Sequence, residues 1–256
     1  MMENYDIKEL LNRLNDSIKY NNNLFVFPLG FAREYPILCI RPRPTLLGPK
    51  VLVSGGFHGD EVSGPWGIVE YLENNDYPTD INLSILPLVN PTGFALSRRA
   101  NYWGVGPNRG YVKGANPGEK ASYEDNILKS NINILSVLSK DCYIALHEDD
   151  EEQFYFFSYG KDGDLEKKLR EMGSDRFGLV PKERMKLVAG SNAKSSEGSV
   201  KEDYDSSFEH GLKDKGVKRC ITVEVPGRRD FNERVDFVRE VLEEMLKPNY
   251  YQEGYE

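Results

Sequence analysis

The chain reads as an α/β protein, a single domain with a mixed, largely parallel β-sheet flanked by helices. Three observations give that class. Apolar runs of strand length at 51–53, 83–89, 142–146 and 220–225 alternate with helical periodicity at 63–74, 126–139, 165–177 and 231–246, the order that builds sheets covered by helices. A length of 256 residues is enough to bury one substantial core, so residues 1–256 are read as one domain. The hydrophobic fraction of 39% and charged fraction of 29% are those of a globular chain.

The elements follow in order. Residues 6–20 place Ile7, Leu10, Leu11, Leu14 and Ile18 at helical spacing, an amphipathic helix. Runs at 24–27 and 37–40, punctuated by Pro28-Leu29-Gly30 and by Pro42 and Pro44, read as neighbouring antiparallel strands. The strand 51–53 leads into Gly55-Gly56-Phe57-His58-Gly59-Asp60-Glu61, and the helix 63–74 then carries Trp66, Ile68, Val69 and Leu72. The strand 83–89 ends at Asn90-Pro91-Thr92-Gly93, and a Gly-, Asn- and Arg-rich segment runs from 97 to 120. A helix over 126–139, strands over 142–146 and 154–159 and a helix over 165–177 come next. Residues 190–207 are rich in Ser, Gly, Asp and Glu without periodicity and read as a mobile surface loop. The strand 220–225 and the helix 231–246 close the domain, and there is no internal repeat.

Composition excludes several classes. The net charge is −8 and no basic block is present to neutralise phosphates, so no nucleic-acid partner is expected. No stretch approaches the ~18 apolar residues of a membrane span, so no membrane partner is expected either. The start, Met1-Met2-Glu3-Asn4-Tyr5-Asp6, has no apolar core of a secretory signal. Cys39, Cys142 and Cys220 sit inside apolar runs without a C-x-x-C spacing. They read as free buried thiols in a reducing compartment, which points to the cytoplasm. Oligomeric state is not legible.

The chain has three histidines, and two follow apolar strand-like runs: His58, with Glu61 three residues on, and His147 in Ile144-Ala145-Leu146-His147-Glu148-Asp149. Two imidazoles and a carboxylate leave one tetrahedral position of Zn²⁺ open, the ligand set of a hydrolytic site. A lone histidine at a strand end also fits a hydrogen-bonded structural role; two in so small a set favour metal. Glu224 stands inside the apolar run Ile221-Thr222-Val223-Glu224-Val225. It is either an edge-strand residue facing water or a desolvated carboxylate acting as a base on a zinc-bound water. Arg98, Arg99 and Arg109, with Asn101 and Asn108 beside them, suit carboxylates and oxyanions, though three loop arginines also fit solvated charges. Asp60 either orients His58 or begins the following helix. The run Glu148-Asp149-Asp150-Glu151-Glu152 reads as solvated, with Glu148 or Asp149 turning into the cleft as the alternative. His210, in a charged segment, has no place in the metal set.

Taken in order, Gly-Gly-Phe-His58-Gly-Asp-Glu61, Asn90-Pro-Thr-Gly-Phe, Arg99-Ala-Asn101, Asn108-Arg109, Leu-His147 and Val-Glu224 resemble the zinc carboxypeptidases of the carboxypeptidase A type. The resemblance spans roughly residues 50 to 227. It implies the zinc carboxypeptidase fold and hydrolysis of the C-terminal peptide bond of a substrate with a free carboxylate. It implies Zn²⁺ on His58, Glu61 and His147, Glu224 as general base and Arg99 as oxyanion stabiliser, with Arg98 a second candidate in the same segment. Asn108 and Arg109 would grip the substrate carboxylate. The family's mobile-loop tyrosine maps only onto Tyr204, whose surroundings depart from the family pattern. Two alternatives stand beside this reading. One is a zinc deacylase of N-acyl amino acids resembling succinylglutamate desuccinylase and aspartoacylase, which usually carries a further β-rich domain where this chain has about thirty residues after Glu224. The other is a catalytically inactive carboxylate-binding module on the same fold.

Overall fold

The computed structural model describes residues 5–21, 23–43, 47–112, 120–160, 163–188, 194–202 and 205–251. Among them the strands are β1 (Leu24–Ala32), β2 (Tyr35–Pro42), β3 (Lys50–Gly55), β4 (Asn82–Leu86), β5 (Cys142–Asp149), β6 (Tyr155–Tyr159), β7 (Lys194–Ser196), β8 (Ser199–Lys201) and β9 (Cys220–Pro226). The helices are α1 (Ile7–Ile18), α2 (Ser63–Asn74), α3 (Pro91–Ala95), α4 (Tyr123–Ser130), α5 (Ile132–Leu138), α6 (Asp164–Phe177), α7 (Lys182–Val188), α8 (Phe208–Asp214) and α9 (Phe231–Met245).

The strands form one mixed sheet of nine in the order β1-β2-β4-β3-β5-β9-β6-β8-β7. Its centre, β4-β3-β5-β9, is parallel, and antiparallel strands extend it on both sides. Strands buried on both faces need continuous apolar runs, and these supply them by alternation. Val51, Val53, Ile144, Leu146, Ile221 and Val223 enter the core shared with α1, α2 and α9. Leu52, Tyr143, Ala145 and Cys220 enter a second core with α4, α5 and α8. The α2–α9 contact is close enough that a Cβ on Gly67 would lie 2.3 Å from Val238 Cγ1. As expected, all three cysteines are free and buried. Among the described residues no helix is long and apolar enough to cross a membrane.

Departures from the sequence reading have local causes. The expected helix over 126–139 is two helices, α4 and α5. The first starts earlier because Ser122 and Asp125 form a reciprocal capping box. It ends at Asn131, whose side-chain amide donates to the carbonyl of Ile127. The strand expected to reach residue 89 stops at Leu86. Asn90 then caps the one-turn α3 by accepting from Gly93 N, with Pro91 at the first helical position. The segment expected as a mobile loop contains the β7–β8 hairpin, closed by Glu197 and by Gly198 at φ +64° and added to β6. Tyr204 lies outside the described residues.

Candidate metal centre

The turn after β3 begins with Gly56 at φ +66°. A Cβ on Gly59 would lie 2.0 Å from the Gly93 carbonyl carbon, so only glycine fits this crossing. The turn presents His58 and Glu61, while His147 projects from within β5 rather than beyond it. His58 Nδ1 is 2.5 Å from Glu61 Oε1 and His147 Nδ1 is 2.8 Å from Glu61 Oε2. All three side chains are buried, and one ligand atom from each lies within 4.8 Å of the others. Two imidazole Nδ1 atoms converging on one buried carboxylate are the donor set of a transition-metal ion. This is a metal-binding group.

Its electrostatics fit that role. Burial alone would raise the Glu61 carboxyl, but His58 and His147 hold it well below the usual range. Burial alone would lower the His147 imidazole, yet Glu61, then Glu224 and Glu209, hold it at about 9 in the metal-free chain. A metal must displace that proton. Apparent metal affinity is therefore expected to fall about tenfold per pH unit below 9. Chelator-competition titrations at several pH values measure it, and a flat profile contradicts the pairing.

Glu224 is the register partner of His147 on the neighbouring parallel strand, so the two side chains leave the same face. β9 lies between β5 and β6, which removes the edge-strand reading of Glu224. Burial pushes its carboxyl up to about 8, against His147. Arg99 Nη1 donates to Glu61 Oε1 at 2.8 Å, with its side chain 60% exposed. Arg98 turns into its own loop, donating to the carbonyls of Asn101 and Tyr102. Asn108 is buried at φ +67°. Its Oδ1 accepts from Phe208 N at 2.8 Å, and its Nδ2 donates to Glu209 Oε2 at 3.3 Å. Arg109 donates to the Asn108 carbonyl at 2.7 Å and lies 3.3 Å from Asp205 Oδ2.

No protein-family model matches the chain, and no curated protein matches it by sequence. Solved structures do. A candidate metallopeptidase from Shewanella amazonensis SB2B superposes with a TM-score of 0.81 at 29% identity, over 94% of this chain and 92% of that one. Carboxypeptidase A from Helicoverpa armigera gives a TM-score of 0.60 at 16% identity, over 93% of this chain and 70% of that one. The fold is that of the metallocarboxypeptidases. A succinylglutamate desuccinylase from Silicibacter sp. TM1040 shares it more distantly, with a TM-score of 0.53 at 16% identity over 89% of this chain and 67% of that one.

Within this metallocarboxypeptidase fold, two buried acids absent from the sequence reading hold the arginine-bearing segment. Glu124 accepts from Thr92 Oγ1 at 2.9 Å and from Asn101 Nδ2 at 2.6 Å. Asp125 accepts from Asn108 N at 2.9 Å and from the Tyr111 hydroxyl at 2.7 Å. Both occupy the first turn of α4, where the helix dipole favours them. The Ser122-x-x-Asp125 capping box was the available signal. A third is Glu209 on α8, 2% exposed, whose Oε1 lies 4.0 Å from His147 Nε2.

The acidic run after His147 is not a solvated stretch throughout. Glu148 leaves the face opposite His147, where it accepts from Arg234 and from Ser63 N at the start of α2. Asp149 accepts from the Tyr155 hydroxyl. Asp60 makes no hydrogen bond to His58 and precedes α2, its Oδ1 buried without a hydrogen-bond partner. His210 stays outside the metal group, as expected, accepting from Ser206 N.

Proposed function

We propose that the chain is a zinc-dependent metallocarboxypeptidase that hydrolyses the C-terminal peptide bond of peptides with a free carboxylate. The observation that carries this reading is the register of β5 and β9, which sets Glu224 beside His147 on the face of the metal-binding group. The likeness to a candidate metallopeptidase at 29% identity over nearly the whole chain supports it. Buried free thiols suit a reducing compartment, so the cytoplasm is the expected location, with residues 1–256 as one catalytic domain.

His58, Glu61 and His147 hold the metal. When bound, zinc supplies Lewis-acid polarisation of the scissile carbonyl and of the attacking water. Glu224, ionised, takes a proton from that water as its oxygen bonds to the carbonyl carbon. It then delivers the proton to the amine nitrogen as the C–N bond breaks. Arg99 uses Nη1 on Glu61 and keeps an exposed guanidinium edge for the developing oxyanion. Asn108 and Arg109 receive the terminal carboxylate. Asn108 contributes the side-chain N–H that Glu209 does not use, and the Arg109 fork supplies charge-assisted hydrogen bonds.

The test is a zinc-loaded protein offered peptides with free and amidated C-termini beside N-acyl amino acids. Hydrolysis of free-carboxylate peptides supports the proposal; turnover of N-acyl amino acids alone replaces it with the deacylase reading. Charge-assisted hydrogen bonds are worth ~1.5–3 kcal/mol. Arg109→Ala is therefore expected to raise KM for free-carboxylate peptides by about 10- to 100-fold with little change in kcat. The preference over amidated peptides should collapse in parallel, and an unaltered preference would remove Arg109 from carboxylate binding.

A further inference from the structure

Two buried polar atoms next to the metal group have no hydrogen-bond partner: His147 Nε2 and Glu209 Oε1. They lie 4.0 Å apart, facing each other. We propose that Glu209 is a positioning residue for the metal ligand His147, accepting a hydrogen bond from its Nε2–H. The inference rests on the metal reading of the site and goes beyond it to a residue outside the donor set.

His147 presents Nδ1 to Glu61 and therefore to the metal. A neutral imidazole that gives its Nδ1 lone pair to a metal carries its proton on Nε2. That proton is buried and needs an acceptor. Glu209 is 2% exposed and offers the free carboxylate oxygen at this position. Closing the gap by about 1 Å gives an ordinary N–H···O hydrogen bond.

The surroundings fix both ends. Glu209 Oε2 already accepts from Asn108 Nδ2 at 3.3 Å, which turns Oε1 toward the histidine. Phe208, the preceding residue of α8, donates its N–H to Asn108 Oδ1 at 2.8 Å. The Phe208 ring packs on Phe57 with centroids 5.8 Å apart, and Phe57 stacks on the His147 ring at 5.6 Å. Helix α8 is thus registered against the ring it would orient. A carboxylate on the distal nitrogen of a ligating histidine fixes its tautomer and direction and raises its basicity. Here the same carboxylate also holds Asn108, the residue before Arg109, so it ties metal binding to the carboxylate-gripping pair.

The experiment compares wild type with Glu209→Gln, an isosteric change. Zinc affinity is measured by competition with a chromogenic chelator, and thermal unfolding of the metal-free proteins checks the fold. The expected result is zinc binding weakened by about 10- to 100-fold with metal-free unfolding unchanged. Equal zinc affinity in the two proteins would overturn the assignment. So would an effect confined to KM for peptides ending in Lys or Arg, which makes Glu209 a cation-selecting group instead. If the variant does not fold, proton NMR of zinc-loaded wild type decides, since three histidines keep the imidazole region assignable. A slowly exchanging, downfield His147 Nε2–H supports the hydrogen bond, and a rapidly exchanging one refutes it. A wild type that binds no zinc removes the proposed function as well, which separates that failure from this one.

Discussion

Glu224→Gln is expected to lower kcat by about 10²- to 10⁴-fold while zinc remains bound at wild-type stoichiometry. The variant keeps the shape of the side chain beside His147 and removes only its capacity to accept a proton. None of the three groups that converge as metal ligands is touched. Stability of the metal-free protein should not suffer. Burial raises the Glu224 carboxyl from the ordinary 4.5 to about 8 in the metal-free chain. A carboxyl raised on folding contributes stability that is fully present below pH 4.5 and lost as pH rises through 8. Glutamine cannot ionise, so the metal-free variant should hold its Tm across that window while wild type declines. Steady-state kinetics, zinc analysis by mass spectrometry and a Tm–pH series read all three effects. Retained turnover would end the general-base assignment. Loss of turnover together with loss of zinc would show that Glu224 supports the metal group rather than the proton transfer.

What the sequence reveals of this site follows from how locally each residue is specified. His58 and Glu61 share one glycine-constrained turn, so three residues of spacing suffice to pair them. His147 and Glu224 each stand in an apolar run, and the parallel pairing of those runs does the rest. The strands and long helices are legible for the same reason, periodicity over a buried face. Legibility fails where side-chain direction depends on distant contacts. Arg98 and Arg99 are indistinguishable in an irregular segment, and only the fold turns the first into its own loop and the second to Glu61. Glu148 reads as solvated because polarity masks the last three residues of β5. Once the strand is extended, alternation sends Glu148 to the face opposite His147. Glu209 is hidden by the polar composition of a seven-residue helix. Its burial shows only in the fold, where Phe208 packs α8 on Phe57 and Asn108 meets the carboxylate.

That opposite face carries the second large expectation, which concerns Glu148 and Arg234. Arg234, 2% exposed on α9, donates to Glu148 Oε2 and, through Nε, to the Arg229 carbonyl at 3.1 Å. Glu148 Oε1 accepts from Ser63 N at the start of α2. The pair therefore joins β5, α2 and α9 directly behind the metal group. Removing one partner of a buried ion pair costs ~3–5 kcal/mol because the other charge is left uncompensated. The two single variants should nonetheless differ. Glu148→Gln leaves a guanidinium that cannot shed its charge. It also removes a carboxyl that costs wild type stability as pH rises from 4.5 to about 7, so its penalty should be largest near pH 4.5 and shrink across that window. Arg234→Met leaves a carboxyl that burial already pushes to about 7 with the arginine opposing. Without Arg234 it folds protonated. Its folded pKa then stands still further above the ordinary 4.5. Wild type and Arg234→Met both fold with this carboxyl protonated below about 7, so the penalty should be flat from pH 4.5 to 7 and grow only above 7, by up to about 1.4 kcal/mol per unit. Urea unfolding of both variants at several pH values distinguishes the two behaviours. Equal, pH-independent losses would mean that packing of the arginine stem, not charge, holds this junction. Because Glu148 follows His147 in the strand and meets the helix after Glu61, loss of the pair should also weaken metal binding, by loosening the two elements that bring the ligands together.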